Sequence, residues 1–141
     1  MIILDTSVII KIIHNRINLA QLKKTISQTE IFGISSISLY EIYFGLYQIK
    51  FKKDGQINQE KWDKELRIIK LVEEKLKVIE FNAKAAQLSA EIYNLLRSKG
   101  ETIELFDCMI AGNMKAFGYR KILTTNEKHF SRISDMDVHL I

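Results

Sequence analysis

The sequence predicts an α/β fold of three layers (α/β/α), in which helices cover both faces of a mostly parallel central sheet. Short apolar segments alternate along the chain with amphipathic helical segments, which is the pattern of parallel strands joined by helical crossovers. The first segment, Ile2–Leu4, is apolar throughout, as expected for a strand covered on both faces. The chain has 141 residues, and we expect residues 1–141 to form a single domain.

The N-terminal third is predicted to contain two strands and two short helices. Helices are expected at Thr6–Ile13 and Leu19–Ile26, directly after the first strand. The segment EIFGIS at 30–35 is rich in isoleucine and ends in serine, and it is predicted to be the second strand.

The middle of the chain is predicted to be mainly helical. Apolar residues at i, i+3, i+4 and i+7 indicate a helix over 38–48. Ser38, with Glu41 three residues later, matches a capping box at the start of this helix. The polar segment KFKKDGQINQ at 50–59 contains a glycine and is predicted to be a surface loop. An amphipathic helix is expected at 60–77.

Alternation continues to the C-terminal end. Asn82 is the expected N-cap of a helix that runs to residue 99, and Gly100 stands where a helix-terminating glycine belongs. The other predicted elements are a strand at 78–81, a helix at 107–117, a strand at 121–125 and a last strand at 138–141.

Composition indicates a soluble protein and argues against several other classes. The hydrophobic content of 47% and charged content of 27% are ordinary for globular proteins. No apolar stretch approaches the roughly 20 residues that span a bilayer, and Asp5 interrupts the N-terminal apolar run too early for a signal peptide. Cys108 has no internal disulfide partner, which fits the cytoplasmic location that we expect. The net charge of +4 is compatible with a nucleic-acid partner but does not establish one.

Polar residues occur where the predicted strands end. Asp5 follows the first strand, and Asn126 follows the KILTT strand. Glu41 is expected in the first turn of the helix after the EIFGIS strand. Carboxyl ends of parallel strands and the helices that follow them share one edge of the sheet, so these three side chains are expected to converge there. Asp107 joins them if the segment before it, ETIELF, crosses the same edge.

Each of these four residues also has a purely structural explanation. Asp5 could cap the following helix, and Glu41 belongs to the capping-box pattern. Asp107 suits a helix N-terminus, and Asn126 tolerates turn conformations. The set nevertheless favours a functional site, because four independent roles would have to coincide at one edge. Clustered carboxylates raise one another's pKa, and a divalent cation such as Mg²⁺ or Mn²⁺, which prefers oxygen ligands, would relieve their repulsion.

Four sequence blocks strengthen this hypothesis: LDTSVII at 4–10, SLYEIYFG at 38–45, FDCMIAG at 106–112 and ILTTNEKHF at 122–130. In order and spacing they resemble the blocks of PIN-domain ribonucleases, most closely VapC-type toxins of toxin–antitoxin pairs, and the resemblance covers nearly the whole chain. It implies that Asp5, Glu41 and Asp107 are metal-binding catalytic acids. Asn126 falls on a fourth position that is Asp or Asn in the family. With three carboxylates instead of four, we expect one tightly held ion.

The resemblance implies further properties of the protein. It implies Mg²⁺- or Mn²⁺-dependent endonucleolytic cleavage of RNA, a homodimer, and a small VapB-like antitoxin whose C-terminal segment lies over the active site. The hydroxyls of Thr6, Ser7 and Thr124 match positions near the metal or the substrate phosphate. The alternative left open is a PIN-like RNA-binding or RNA-processing module outside a toxin–antitoxin system, although the intact acids favour a nuclease.

Basic side chains supply candidate contacts to an RNA backbone. Lys128, His129 and Arg132 come just after Asn126 and are predicted to bind substrate phosphates. Two wider clusters are compatible with a solvated face: Lys50, Lys52 and Lys53 in the predicted loop, and Lys115, Arg120 and Lys121 with Lys128 and Arg132 near the expected site.

Aromatic residues recur at helical spacing on the helix that carries Glu41. They are Tyr40, Tyr43, Phe44 and Tyr47. We expect them to pack in the core, with a dimer interface or an antitoxin groove as the alternative.

Overall fold

The computed structural model describes residues 1–26, 29–51 and 55–141, and within these ranges strands and helices alternate as predicted. The strands are β1 (Ile2–Leu4), β2 (Phe32–Ser35), β3 (Lys77–Ile79), β4 (Lys121–Thr124) and β5 (Asp137–Leu140). The helices are α1 (Thr6–Ile13), α2 (Leu19–Ile26), α3 (Ser36–Lys50), α4 (Gln59–Lys75), α5 (Ala83–Ser98), α6 (Leu105–Ala116) and α7 (Glu127–Phe130).

The five strands form one sheet in the order β3-β2-β1-β4-β5, and every pair is parallel. Strand β1 lies at the centre, with Ile2 opposite Phe32 on one side and Lys121 on the other. All three of its residues are buried, as its uninterrupted apolar sequence predicts. The predicted mostly parallel sheet is therefore confirmed.

Two hydrophobic clusters lie on opposite faces of the sheet. One packs Ile2 and Leu4 against helices α1 to α4, and the other packs Ile3 against α5, α6 and α7. Successive residues of a strand point to opposite faces, so β1 contributes to both clusters. The helices thus form two layers around the sheet, and the α/β/α architecture is confirmed.

The start of α3 differs from the predicted capping box. Ser35 is the N-cap, and its Oγ accepts a hydrogen bond of 3.1 Å from the Ile37 amide. The helix therefore begins two residues earlier than expected, and Ser38 is buried inside it. Glu41 lies in the second turn, where its carboxylate has no role in capping and is available for other contacts.

The loop predicted at 50–59 falls between α3, which ends at Lys50, and α4, which starts at Gln59 behind the N-cap Asn58. Lys52 and Lys53 of the predicted basic cluster lie outside the described residues. Helix α7 was not expected, because four residues are too few for apolar periodicity to reveal a helix.

The aromatic residues of α3 divide between core and surface. Tyr43 packs partly against the core, and its hydroxyl donates to Glu73 Oε1 over 2.9 Å. Tyr40, Phe44 and Tyr47 are instead 54%, 55% and 47% exposed. The expected core packing is wrong for these three side chains, which form an exposed aromatic row.

Lys121 lies at the start of β4, at the edge of the sheet opposite the strand ends that carry the predicted site. Its Nζ lies 2.5 Å from Glu30 Oε1, so the expectation that it approaches the site is wrong. None of the helices in the described ranges is both long and apolar enough to cross a membrane.

Replacing Glu30 by glutamine is expected to lower stability at pH 7 and to have little effect in strong acid. The hydrogen bond from Lys121, followed by that from the Met1 amino group, lowers the pKa of Glu30 from 4.5 to about 2. Because the pKa is lower in the folded state, the ionised carboxylate stabilises the fold above about pH 4.5, and this contribution is lost as the pH falls through about 2. Denaturant unfolding of both proteins across this range tests the prediction, which a pH-independent difference would contradict.

Candidate active site

Asp5 sits at the end of the central strand and is held there by two hydroxyls. Its amide donates to the Leu123 carbonyl over 2.9 Å, which extends the pairing of β1 with β4 by one residue. Asp5 Oδ2 accepts hydrogen bonds from Ser7 Oγ at 2.6 Å and from Thr124 Oγ1 at 2.7 Å. Asp5 precedes α1 but makes no side-chain capping bond. Asp5 is thus the N-cap residue of α1 by position, but its carboxylate bonds to Ser7 and Thr124 and not to the helix amides.

Glu41 reaches the same region from α3. Its Oε2 accepts a hydrogen bond of 2.5 Å from Thr6 Oγ1. Burial raises the pKa of Glu41, and the negative charges of Asp5, Asp107 and Glu104 raise it further against the opposing effect of the Thr6 bond. Glu41 is thus electrostatically coupled to acids on other segments of the chain.

Asp107 lies in the first turn of α6 and is in contact with α7. Its Oδ2 makes a short hydrogen bond to His129 Nδ1. Asn126 Nδ2 lies 2.8 Å from the same imidazole nitrogen, and the Asn126 amide donates to Thr124 Oγ1 over 2.9 Å. Nδ1 donates to Asp107 when it carries a proton and accepts from Asn126 when it does not. The imidazole therefore connects the third and fourth predicted site residues.

The backbone of Asn126 excludes its alternative role as a left-handed turn residue, because its φ is −122°. Asp107 also does more than complement a helix N-terminus. Burial raises its pKa, as do the charges of Asp5 and Glu104, whereas the His129 hydrogen bond lowers it. The charge of Asp5 thus raises the pKa of both other predicted acids, as expected if the topology brings them to one edge of the sheet.

The acidic side chains fit a hard divalent cation in ligand type and charge, although their oxygens are not arranged around a common point. Among the described residues, no three His, Cys, Asp or Glu side chains form a group that could hold a metal ion. The carboxylates are instead paired with hydroxyls and an imidazole. Carboxylate and amide oxygens are the donors that Mg²⁺ and Mn²⁺ prefer. A cation would also offset the repulsion that contributes to the raised pKa of Glu41 and Asp107.

The predicted substrate-binding residues separate into two groups. Thr6, Ser7 and Thr124 direct their hydroxyls to the carboxylates, so they position the acids. His129 belongs to the acid cluster itself. Lys128 is exposed, and the guanidinium of Arg132 donates to the Thr102 carbonyl over 3.0 Å. These last two side chains make no contact with the acids within the described parts of the chain.

Glu104 is a further acid near this cluster that sequence reasoning did not identify. It is the N-cap residue of α6, it is exposed, and its charge raises the pKa of both Glu41 and Asp107. The spacing in ELFD could have indicated it, because residues three apart lie on one face of a helix.

Lys115 and Arg120 do not lie at the site as their positions in the sequence suggested. Lys115 is eight residues beyond Asp107 on α6, about 12 Å along the helix axis at 1.5 Å per residue. Arg120 precedes β4, whereas the site lies beyond the other end of that strand. Arg120 is exposed, in agreement with the solvated face that was favoured for this cluster.

This fold and this set of acids define a PIN domain. The PIN domain family model matches residues 2–136, so the chain belongs to that family, as the four sequence blocks predict. No match was found among curated proteins.

Solved structures with the same fold include chains of VapBC complexes, in agreement with the VapC-type resemblance. VapBC2 from Rickettsia felis, solved with a DNA fragment from its promoter, gives a TM-score of 0.81 at 24% identity over 100% of this chain and 99% of that one. DNA-bound VapBC from Salmonella typhimurium gives 0.76 at 24% identity, over 99% and 96%. VapBC-1 from nontypeable Haemophilus influenzae gives 0.76 at 25% identity, over 99% and 97%.

Proposed function

We propose that this protein is a metal-dependent endoribonuclease, the cytoplasmic toxin of a toxin–antitoxin pair, whose 141 residues act as a single PIN domain. One observation carries the proposal. Hydrogen bonds link Asp5 through Thr124, Asn126 and His129 to Asp107, and Glu41 accepts a hydrogen bond from Thr6, next to Asp5, so acids from separate segments of the chain are held in one network. The carboxylate of Asp5 makes no capping bond, and that of Glu41 lies beyond the first turn of α3 and bonds to Thr6, so both are available for a further role. Membership of the PIN family supports nuclease chemistry at this cluster.

Asp5, Glu41, Asp107 and Asn126 would hold Mg²⁺ or Mn²⁺ in the functional protein. Such a cation, when bound, neutralises charge on a phosphate and lowers the pKa of water, which hydrolysis of a phosphodiester requires. Ser7 and Thr124 fix the carboxylate of Asp5 through hydrogen bonds to Oδ2.

Glu41 is suited to accept a proton from the attacking water. Its Oε2 accepts a hydrogen bond from Thr6, which fixes the carboxylate in position to orient the water. His129 orients Asp107 through their hydrogen bond. Lys128, which is exposed just beyond Asn126, is placed to contact the substrate backbone. Attack by water would leave a 5′-phosphate and a 3′-hydroxyl.

A groove between α1, α3 and α4 is the proposed seat of a VapB-like antitoxin segment. Two cavities of about 450 and 340 Å³ share four lining residues, Ile13, His14, Lys61 and Glu65, and the second cavity extends to Glu41. A segment bound along this groove would end over the acids. The partnership in the VapBC structures supports this proposal.

The exposed aromatic row of α3 is the proposed contact between two copies of the chain. Tyr40 stacks on Phe44, with ring centroids 6.1 Å apart, and it also contacts Phe106 at 5.6 Å. Exposed aromatic clusters of this kind are enriched at interfaces. Tyr40 precedes Glu41 in the sequence, and its contact Phe106 precedes Asp107.

A PIN-like module that binds or processes RNA outside a toxin–antitoxin system is the second candidate. The separate pairing of each carboxylate, without a ready-made ligand group among the described residues, favours it. Substitution of Asp5 by asparagine discriminates between the two candidates. A nuclease loses cleavage and can retain RNA binding, whereas a binding module loses little.

The proposal is tested by expressing the chain in a bacterium and sequencing the 5′ ends of cellular RNA. We expect growth arrest and discrete new ends with the wild-type chain, and neither with Asp5→Asn at equal protein level. Co-expression of an antitoxin gene from the same operon should restore growth. New ends that persist in Asp5→Asn would refute the assignment of the site.

Mg²⁺ is expected to raise the melting temperature of the wild-type protein. A ligand that binds only the folded state stabilises it by about 2.7 kcal/mol at 100 times its dissociation constant. Glu41→Gln removes the negative charge of one proposed metal-binding carboxylate and should reduce the increase in melting temperature. Thermal unfolding with and without Mg²⁺ measures the effect, and Glu60→Gln, an exposed acid of α4, is the matched control. Equal shifts in all three proteins would show that the ion binds elsewhere.

A further inference from the structure

A second groove lies on the other face of the protein, between α5 and the segment that follows α7. Two cavities of about 260 and 310 Å³ form it, and they are continuous because Leu88 and Lys115 line both. The groove runs from Lys99 and Arg132 at one end to Lys84 and Arg120 at the other.

The groove is strongly basic. Five cationic side chains line it: Lys84, Lys99, Lys115, Arg120 and Arg132. The acids in its walls are Glu91 and Asp135. The groove between α1, α3 and α4 is different, because acids there match or outnumber the lysines. Positive potential is therefore concentrated on the face formed by α5 and α6, which favours a polyanionic ligand.

The charges of this groove are available to a ligand. Lys84, Lys99 and Arg120 are exposed, and within the described ranges none of them forms an ion pair. Lys115 is held only loosely, with its Nζ 3.4 Å from Ser134 Oγ and 4.0 Å from an Asp135 oxygen. Cations that a fold leaves unpaired along a groove can pair with phosphates at no cost to internal salt bridges.

One end of the groove adjoins the acid cluster. Arg132 follows His129, the partner of Asp107, by three residues. Its guanidinium donates to the Thr102 carbonyl, two residues before Glu104. A polynucleotide strand cleaved at the acids can therefore continue past Arg132 into the groove.

The other end carries an aromatic pair. Phe117 is 43% exposed, and its ring is nearly parallel to that of Tyr119, at 8° with centroids 6.4 Å apart. Tyr119 lines the groove beside Arg120. A basic groove combined with an exposed aromatic ring is the arrangement that binds single strands, because the cations track phosphates and the ring stacks on a base. This pairing favours single-stranded nucleic acid over an acidic peptide.

We propose that the groove of Lys84, Lys99, Lys115, Arg120 and Arg132 binds the single-stranded part of the RNA substrate that lies beyond the cleavage site. The inference rests on the proposed nuclease function, which it deepens by assigning the substrate a second binding region. It makes the protein selective for RNA with an unpaired extension long enough to enter the groove.

The test measures RNA binding by the triple variant Lys84→Gln/Lys99→Gln/Arg120→Gln in an Asp5→Asn background, which prevents cleavage. For an oligonucleotide of about 16 nucleotides we expect affinity to fall about tenfold or more. The slope of log K against log salt concentration should also fall by about 2, because each lost phosphate contact lowers it by about 0.7. For an oligonucleotide of about 4 nucleotides, affinity should be unchanged. The matched control, Lys23→Gln/Lys24→Gln/Lys75→Gln, removes three exposed charges from α2 and α4 and should leave both unchanged.

Equal losses in the triple variant and the control would overturn the inference, as would unchanged binding of the long RNA. Poly-glutamate serves as the probe for an acidic protein partner. If the triple variant loses binding to poly-glutamate but keeps binding to RNA, the inference is overturned and the groove is assigned to an acidic protein. If the triple variant unfolds, Lys99→Gln alone should lower the slope by about 0.7. A wild-type protein that cleaves no RNA, but whose long-RNA affinity depends on the groove, would refute the nuclease and leave the groove assignment standing.

Discussion

Replacing Asp107 by asparagine is expected to lower the rate of RNA cleavage by at least about 100-fold. Loss of an outer partner of a metal ligand already costs about 10- to 100-fold, and Asp107 is itself a proposed ligand. The substitution keeps the size of the side chain and removes its charge. The pKa of Asp107 is raised by burial and by Asp5, so its ionised form is unfavourable in the metal-free protein. The variant should therefore fold at least as stably as the wild type.

Single-turnover cleavage of a labelled RNA, with thermal unfolding alongside, measures both quantities. The matched control is Glu104→Gln, an equal change of charge one helical turn away. Glu104 is exposed and its side chain makes no capping bond to α6, so we expect a loss of about tenfold or less. A Glu104 variant as inactive as Asp107→Asn would indicate that Glu104 is itself a metal ligand. Its carboxylate would then supply the negative charge that the amide of Asn126 lacks. A fully active Asp107→Asn would refute the site.

The regular part of the fold could be predicted because it depends on local patterns. The apolar run of β1 and the periodic apolar residues of α4 and α5 predict where these elements lie. Asn82 is the N-cap of α5 as expected, and its side chain accepts a hydrogen bond from the Ala85 amide. For the cap of α3, the capping-box pattern predicted Ser38, and this prediction was wrong. Ser35 is the cap because it ends β2, whose pairing with β1 and β3 fixes where the chain can turn.

The proximity of Asp5 and Asn126 could also be predicted, because each follows the carboxyl end of one of two neighbouring parallel strands, whereas the roles of the acids stay a prediction. The detailed contacts of the acids could not be predicted. The pairing of Asp107 with His129 joins residues 22 apart through α7, a helix too short to recognise. Proximity in sequence was likewise misleading for Lys115, which α6 carries about 12 Å from Asp107 along the helix axis, and for Arg120, which precedes β4 at the opposite end of that strand from the site. These features depend on tertiary packing, which a single sequence does not state.

Replacing Gly112 by alanine is expected to destabilise the protein by about 1–3 kcal/mol, a melting temperature lower by roughly 4 °C per kcal/mol. A Cβ at Gly112 would lie 2.2 Å from Ser89 Oγ and 2.6 Å from the Ser89 amide nitrogen. The second contact is with backbone, so no change of rotamer relieves it, and α5 must move away from α6. That movement would also shift Asp107 on α6, so cleavage should fall with stability.

Gly45→Ala in α3 is the matched control, because a Cβ there meets nothing within 4 Å. Alanine in an open helical position should raise stability by about 0.5–1 kcal/mol. The same substitution is therefore expected to have opposite signs at Gly45 and Gly112, and denaturant unfolding of the two variants measures it. Similar effects at both positions would mean that helix propensity dominates and that the close approach of Gly112 to Ser89 does not fix the position of α6. Opposite signs would show that this one contact holds the helix bearing Asp107 against the rest of the fold.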